Sequence, residues 1–329
     1  MGLTVAPALV SLGAVEAAAG RIAGQVVRTP TIAAPALSER AGCELLLKAE
    51  NLQVTGSFKP RGAINTLAQL TPEERARGVV AVSAGNHAQG VAYAARRLGV
   101  PALVLMPESA PAVKVDRTRA LGADVMIVGA TFDDAAAALP AVLAKSGATL
   151  IHPFDDDRVI AGQGTVALEM IADVGGLDVV VVAIGGGGLL SGMAVVLRAL
   201  SPRTEVIGVQ GDHYPAMAKA VGRWPGHVPG GATIAEGMAS RTVSARTAAH
   251  VAALVDDILI VSESQIAAAL ACLVRETRLV VEGAAAATLA AMFAHSARFA
   301  GRRVGLVLCG GNIDDARLCA LLAAPGGTY

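Results

Sequence analysis

The chain has 329 residues, 53% hydrophobic and 16% charged, and its 27 basic residues equal its 27 acidic ones. That balance gives no basic footprint for nucleic acid and no polybasic patch for a membrane surface, and no apolar run approaches the ~18 residues of a membrane-spanning helix. With aromatic residues at only 3%, the core has to be built from Ala, Val, Leu and Ile.

The apolar N-terminus "MGLTVAPALVSLGAVEAAAGRIAG" has no basic region ahead of its apolar part, so a cytoplasmic protein is expected. Predicted strands then follow in chain order: "ELLLKAE" (44–50), "VVAVS" (79–83), "PALVLM" (101–106), "DVMIVG" (124–129), "DVVVVAIG" (178–185), "EVIGVQ" (205–210), "DILIVS" (257–262) and "VGLVLCG" (304–310). Between them "PRGAINTLAQL", "GNHAQGVAYAARRLG", "VKVDRTRALGA", "FDDAAAALPAVLAKSG" and "LLSGMAVVLRALS" carry apolar residues at helical spacing, several ending in Gly. Continuous apolar strands alternating with helices predict an α/β fold with buried parallel-rich sheets flanked by helices. The closely spaced pairs from 79 to 152 predict a small lobe. Residues 1–78 and 153–329 would form the larger one, with a ligand cleft between the two. None of Cys43, Cys272, Cys309 and Cys319 forms a C-x-x-C pair, so neither a disulfide framework nor a thiolate metal site is indicated.

Three strand ends carry chemistry. In "VVVVAIGGGGLLSG" a buried strand runs into Gly185, Gly186, Gly187 and Gly188, and a helix starts near Leu189. Glycines let backbone N–H groups turn inward, and a helix N-terminus adds a positive dipole end, which together make a phosphate cradle. No Lys-Ser/Thr follows, so it is not a Walker loop, and "EVIGVQ" ends in Gln210 rather than the acid of a dinucleotide fingerprint. "SAGNHAQG" (83–90) presents Ser83, Asn86 and His87 at a strand's C-terminal end, where α/β proteins bind ligands. "LCGGNID" (308–314) is a third such turn, with Cys309 at its mouth.

In "TGSFKPRGA", Lys59 lies between Phe58 and Pro60, and proline suits the first turn of a helix. A lysine at a helix N-terminus beside an apolar ring is disfavoured as a cation by the dipole and by desolvation, so its pKa falls. Schiff-base chemistry needs a neutral amine. A lysine nucleophile, a phosphate cradle and polar strand ends together point to a phosphorylated aldehyde cofactor.

With these segments in view, "LLLKAENLQVTGSFKPRGA", "SAGNHAQGVAYAA", "IHPFDDDRVIAGQGTVALE", "GGGGLLSG" and "CGGNID" resemble the fold-type-II pyridoxal-phosphate enzymes, the threonine/serine dehydratase (ammonia-lyase) and serine racemase group. The resemblance implies a two-lobed, tryptophan synthase β-like fold and pyridoxal 5'-phosphate as cofactor. It implies that Lys59 carries the cofactor's aldehyde, that Phe58 lines its ring and that Asn86 hydrogen-bonds its ring hydroxyl. Gly185 to Gly188, with Leu189, would hold the phosphate, and Cys309 would face the pyridine nitrogen. Ser83, Ala84, Gly85, Asn86 and His87 would form the substrate-carboxylate loop, supported by Ser57, with Ser240 near the substrate hydroxyl. The implied reaction is loss of the β-hydroxyl from an amino acid such as L-threonine or L-serine, giving a 2-oxo acid and ammonia. The implied assembly is a homo-oligomer, a dimer or tetramer.

Two departures from the group's pattern matter. Racemase relatives carry a serine where this chain has Ala84, which offers no proton, so racemisation is expected to be weak. Gln210 stands where a glutamate of a divalent-cation site would be, and Asp212 is nearby; no metal is expected, and "DDD" (155–157) is read as a solvated turn. The chain stops at Tyr329, so no appended regulatory domain is expected. A dinucleotide-dependent oxidoreductase leaves Lys59 unexplained, and a silent ligand-binding relative leaves the intact motif set unexplained. A dehydratase for another β-hydroxy amino acid, such as 3-hydroxyaspartate or phenylserine, and a serine racemase remain the alternatives.

Overall fold

A computed structural model describes residues 7–324; residues 1–6 of the apolar N-terminal stretch and the terminal Tyr329 lie outside them. Among the described residues ten strands form two sheets: β1 (Thr31–Ala33), β2 (Glu44–Lys48), β3 (Val79–Val82), β4 (Ala102–Met106), β5 (Asp124–Ile127), β6 (Thr149–Leu150), β7 (Val179–Ala183), β8 (Glu205–Gly211), β9 (Asp257–Val261) and β10 (Arg303–Val307). One sheet has the order β1-β2-β10-β7-β8-β9, the other β5-β4-β3-β6. Every pairing is parallel except β1 with β2. Residues 79–150 supply the whole four-stranded sheet, and the six-stranded sheet is drawn from the chain before and after them. No helix of the described residues is long and apolar enough to cross a membrane.

The eight predicted strands are all present, most of them shorter than predicted at one end or both. Pairing mostly stops where the glycine and polar turns begin, as at Ala183 before the four glycines. β1 and β6, three and two residues long, are too short to show a period in sequence. The four valines of β7, residues 179–182, are fully buried, each contributing about 1.5–3 kcal/mol relative to exposure. They can be valine on both faces because helices cover both sides of a parallel sheet.

Helices meet backbone to backbone around the start of the helix Lys59–Leu67. A Cβ at Gly162, in the helix Asp157–Val174, would come within 2.6 Å of the Arg61 carbonyl, and one at Gly164 within 2.7 Å of the Gly192 carbonyl. Arg61, on the same helix as Lys59, is fully buried. It donates through Nε and Nη2 to Glu50 at 2.8 and 2.7 Å, and through Nη1 and Nη2 to Glu169 at 2.7 and 2.8 Å. Burial opposes the Arg61 charge, but Glu50 and Glu169 outweigh it and hold the guanidinium protonated. Thr29 Oγ1 donates to the same Glu50, and Lys48 Nζ donates to Glu169 at 2.7 Å.

Gly192 lies in the helix Gly188–Leu200, and a Cβ there would collide with the Ile160 carbonyl and approach Gly164 N at 2.6 Å. Backbone cannot step aside as a side chain can, so Gly192→Ala should cost about 3 kcal/mol. Gly20, exposed with nothing within 4 Å of its Cβ position, is the control. Gly20→Ala should leave stability unchanged or raise it by up to about 1 kcal/mol. Urea midpoints of both variants check the pair of outcomes.

Candidate active site

Lys59 is the first residue of its helix, with Pro60 behind it. The segment leading to it is laced to the chain that follows β10. Phe58 N donates to the Cys309 carbonyl at 3.2 Å, Gly311 N to Gly56 O at 2.8 Å, and Asn312 Nδ2 to Thr55 O at 2.8 Å. Ser57 forms an isolated antiparallel bridge with Gly310. The half-buried Lys59 points its amine at the Pro153 carbonyl, 3.2 Å away, and at the face of Phe58, 5.0 Å from the ring centroid. A Cβ on Gly90 of the facing helix Asn86–Leu98 would come within 2.9 Å of Lys59 Cβ, so this glycine lets the two helices close on the lysine. Among the described residues Lys59 makes no ion pair. Desolvation draws its pKa down to about 8, against weaker opposing effects of Cys309 and Glu282. An amine that loses its proton near pH 8 can attack a carbonyl.

Asn86 opens its helix and sits across from Lys59's neighbours. Its Nδ2 donates to both oxygens of Glu282, each at 3.0 Å, and its Oδ1 accepts from Asn312 Nδ2 at 2.8 Å. Glu282 N donates in turn to the Gly310 carbonyl at 3.0 Å. Burial raises the Glu282 pKa to about 7. Cys309, 4% exposed, is pushed well above the usual thiol range by burial and then by Glu282, so it is a neutral thiol at any working pH. A neutral thiol can share a hydrogen bond with a ring nitrogen but cannot hold it protonated as a carboxylate would.

The glycine run forms the opposite wall. Gly187 has φ +93, a left-handed conformation, and a Cβ there would meet Met217 Cε at 2.7 Å. The helix Gly188–Leu200 that follows has no side-chain cap, leaving its first-turn amides without intrahelical partners and available to an anion. The Phe154 ring packs directly over Gly186, and a Cβ on Gly188 would lie 3.0 Å from Phe154 Cβ. The residue that follows Lys59's carbonyl acceptor therefore covers the glycine run, bringing Lys59, Gly186 and Gly188 into one place. Ser57 Oγ is fully buried with no hydrogen-bond partner within the chain. An orphaned hydroxyl, open amides and an amine without an acidic partner fit a bound polar group such as a phosphorylated aldehyde.

Ser83 accepts from Gly85 N at 3.1 Å and so shapes the loop through Ala84 and Gly85. Gly85 has open space at its Cβ position. His87 is buried and donates Nε2–H to the Ile151 carbonyl at 2.8 Å; desolvation, then Lys59, lower its pKa to about 3, so it stays neutral. Its imidazole is committed to Ile151. Ser240 donates to Thr242 O at 2.6 Å, within its own loop beyond the turn Glu236–Met238.

The turn at 155–157 is more organised than a solvated turn. Asp156 caps the helix Asp157–Val174 by accepting from Arg158 N, while Asp155 and Asp157 pair with Arg246 at 3.0 and 2.5 Å. Gln210 is fully buried, its Nε2 donating to Tyr214 O at 3.0 Å and its Oε1 accepting from Ala218 N at 2.9 Å. Ligand atoms of Asp212, His213 and Glu263 lie within 4.8 Å of one another. Each Glu263 oxygen accepts one hydrogen bond, from Thr233 Oγ1 at 2.6 Å and Ile234 N at 2.8 Å.

Sequence reasoning missed Glu282, Phe154 and Asn312. Glu282 had a signal, being the one charged residue in the apolar stretch 279–294. Phe154 and Asn312 stood inside recognisable motifs without a partner to single them out.

The profile of the family described as pyridoxal-phosphate dependent enzyme matches residues 22–310. An L-threonine ammonia-lyase of Thermotoga maritima is 44% identical over 307 residues, covering 93% of this chain and 76% of that protein. Among solved structures, a threonine deaminase of T.th. is 42% identical with a TM-score of 0.86, covering 92% of this chain and 99% of that one. A maize serine racemase is 32% identical with a TM-score of 0.88, covering 95% and 97%.

The Lys59 environment carries its own test. In the ligand-free chain, Lys59 should react with an amine-directed reagent with an apparent pKa of about 8, against about 10.4 for solvated lysines. Between pH 7.5 and 9 it should therefore be labelled ahead of surface lysines, as read by peptide mass spectrometry. Labelling of Lys59 that tracks the surface lysines through this range would mean that its amine is solvated.

Proposed function

We propose, from the premise that this chain belongs to the pyridoxal-phosphate dependent enzyme family, that it is an ammonia-lyase: L-threonine, and L-serine, lose water to give an enamine, whose imine tautomer takes water back and releases ammonia to leave the 2-oxo acid. The observation that carries the reading is the Lys59 amine: its one hydrogen bond is to the Pro153 carbonyl, its pKa lies near 8, and Asn86, Cys309 and the glycine run stand around it. The relatives bearing threonine ammonia-lyase and threonine deaminase names support the substrate.

Lys59 is the residue that holds the cofactor's aldehyde carbon. The amides of Gly185 to Gly188 and Leu189, at an uncapped helix N-terminus, hold its phosphate. Phe58 would line its ring, Asn86 would hydrogen-bond its ring hydroxyl, and the neutral Cys309 thiol would face its pyridine nitrogen. Bound pyridoxal phosphate supplies an electron sink that makes the α-proton of the substrate acidic. The Lys59 amine, neutral above pH about 8, would be the general base for that proton. The loop of Ser83, Ala84, Gly85, Asn86 and His87 binds the substrate carboxylate, chiefly through backbone amides at the start of the helix Asn86–Leu98, with the Ser57 hydroxyl beside it. Ser240 is the residue this reading sets near the substrate hydroxyl. A neutral thiol at Cys309 would leave the pyridine nitrogen unprotonated, which would favour loss of the β-hydroxyl. The same reading takes the protein as a cytoplasmic homo-oligomer.

Borohydride treatment of the holoenzyme should fix the cofactor to Lys59, and Lys59→Ala should lose both that linkage and turnover of L-threonine. A fixed cofactor on any other lysine would remove Lys59 from the reaction. Assay against threonine, serine, 3-hydroxyaspartate and phenylserine decides the side chain, with kcat/KM highest for threonine expected.

The likeness to a serine racemase raises a second outcome, on which Ala84 bears. Racemisation removes a proton on one face and returns one on the other, and Ala84 has none to return. Pyruvate should form from L-serine well ahead of D-serine, and Ala84→Ser should raise the D-serine to pyruvate ratio. A wild-type chain that makes D-serine as fast as pyruvate would place the second proton donor elsewhere.

A further inference from the structure

We propose that Glu282 is a positioning residue of this site, fixing which way the Asn86 amide faces the cofactor and making that hold depend on pH. The inference rests on the reading above, that Asn86 meets the cofactor's ring hydroxyl.

An asparagine amide has two N–H donors and one carbonyl acceptor, and nothing in its shape says which end is which. Here the partners decide. Glu282 contacts Nδ2 with both oxygens at 3.0 Å, and an ionised carboxylate can only accept. Asn312 Nδ2 donates to Asn86 Oδ1 at 2.8 Å and is itself fixed by donating to Thr55 O at 2.8 Å. A flipped Asn86 would set its carbonyl against a carboxylate and its amide against an amide. The ionised pair of contacts therefore locks the orientation, with the Asn86 amide nitrogen as the end that can donate to a ligand when one N–H serves both carboxylate oxygens.

Protonation of Glu282 removes one of the two holds and leaves only the Asn312 donor. One Glu282 oxygen becomes a hydroxyl that can donate, and a flipped Asn86 carbonyl can then accept from it, so the preference for one orientation falls. Burial places this titration near pH 7. The charged and titratable groups around Glu282 are consistent with that value. Asn86 from its helix, Lys59 from the helix Lys59–Leu67 and Lys114 from the helix Ala112–Ala120 favour the ionised form, while Glu236 in the turn Glu236–Met238 disfavours it. Glu236 is itself paired with Lys114 at 2.6 Å and Arg317 at 2.9 Å, which mutes its effect. Cys309 faces the same carboxylate as a neutral thiol.

The test measures pyridoxal 5'-phosphate affinity of the full chain stripped of cofactor, by fluorescence titration. Glu282→Gln should bind about tenfold more weakly than the unmodified chain at pH 8, the size of one charge-assisted hydrogen bond. At pH 6, where both side chains are neutral, the difference should vanish. Comparing the two chains at each pH cancels titration of the cofactor's own phosphate. In a double-mutant cycle, Glu282→Gln should add no loss to Asn86→Ala, because it acts through Asn86. An equal ratio at both pH values, or additive losses, overturns the proposal. Should Glu282→Gln fail to fold, absorbance of the bound cofactor decides. It should step near pH 7 in the unmodified holoenzyme and lose that step in Asn86→Ala. A spectrum flat from pH 6 to 8, or a step that survives Asn86→Ala, overturns the proposal. A stripped chain that binds no cofactor at all overturns this proposal and the functional reading together.

Discussion

Arg61 fixes where Lys59 can be. Residues two apart on a helix point to nearly opposite sides, so the guanidinium that faces inward leaves the lysine facing out into the opening. That guanidinium spends its donors on Glu50 before the helix and Glu169 in the helix Asp157–Val174, with Thr165 Oγ1 as a further acceptor at 3.2 Å. Two other segments, one 11 and the other 108 positions away in sequence, are pinned to one planar group whose bidentate geometry tolerates little rotation. The cluster is two-sided in energy. Intact, it contributes little net stability, because desolvation offsets attraction, whereas loss of one partner strands a buried charge at a cost of about 3–5 kcal/mol. Its value lies in specifying position, and the position specified is that of the lysine.

Around that lysine the site works by keeping groups neutral. Desolvation is the first cause for Lys59, His87, Cys309 and Glu282 alike. It pulls the amine down and pushes the thiol and the carboxyl up, so groups of very different intrinsic acidity meet near neutrality or pass it. A single property of the cleft, poor hydration, thus prepares a nucleophilic amine, an uncharged thiol and a carboxylate poised between its two states. The low aromatic content of the chain fits this design. Walls of Ala, Val and Gly let helices approach closely enough to exclude water without large rings.

The strands and the lysine were legible in sequence because their signals are local. Four valines in a row need no partner to be read as a buried strand, and a lysine between Phe58 and Pro60 announces a helix entrance. The glycine run is read the same way. What escaped was settled by long-range partners. Glu282 meets Asn86 across 196 residues of chain, and Asp155 finds Arg246 across 91. Asp155–Asp157, taken alone, look like three solvated acids; their pairing shows only when the helix Ala245–Leu254 folds against them. His87 was read as a polar residue facing a ligand, but Ile151 claims its ring from 64 positions away. Local spacing carries element type and helix-end chemistry, whereas the orientation of a polar side chain belongs to whichever distant group reaches it first.

The paired turn at 155–157 follows directly on Pro153 and Phe154, which supply Lys59's acceptor and the cover of the glycine run. Arg246 holds that turn through two partly exposed contacts, with Asp155 and Asp157 at 39% and 55% side-chain exposure. Pairs of this kind lose strength as dissolved ions shorten the reach of charge, to a Debye length of about 8 Å at physiological ionic strength and about 3 Å at 1 M salt. The wall of the cleft is therefore moored by an interaction that the medium controls. The Arg61–Glu50 pair is fully buried, so added salt weakens the hold on this turn before it weakens the hold on the lysine's helix.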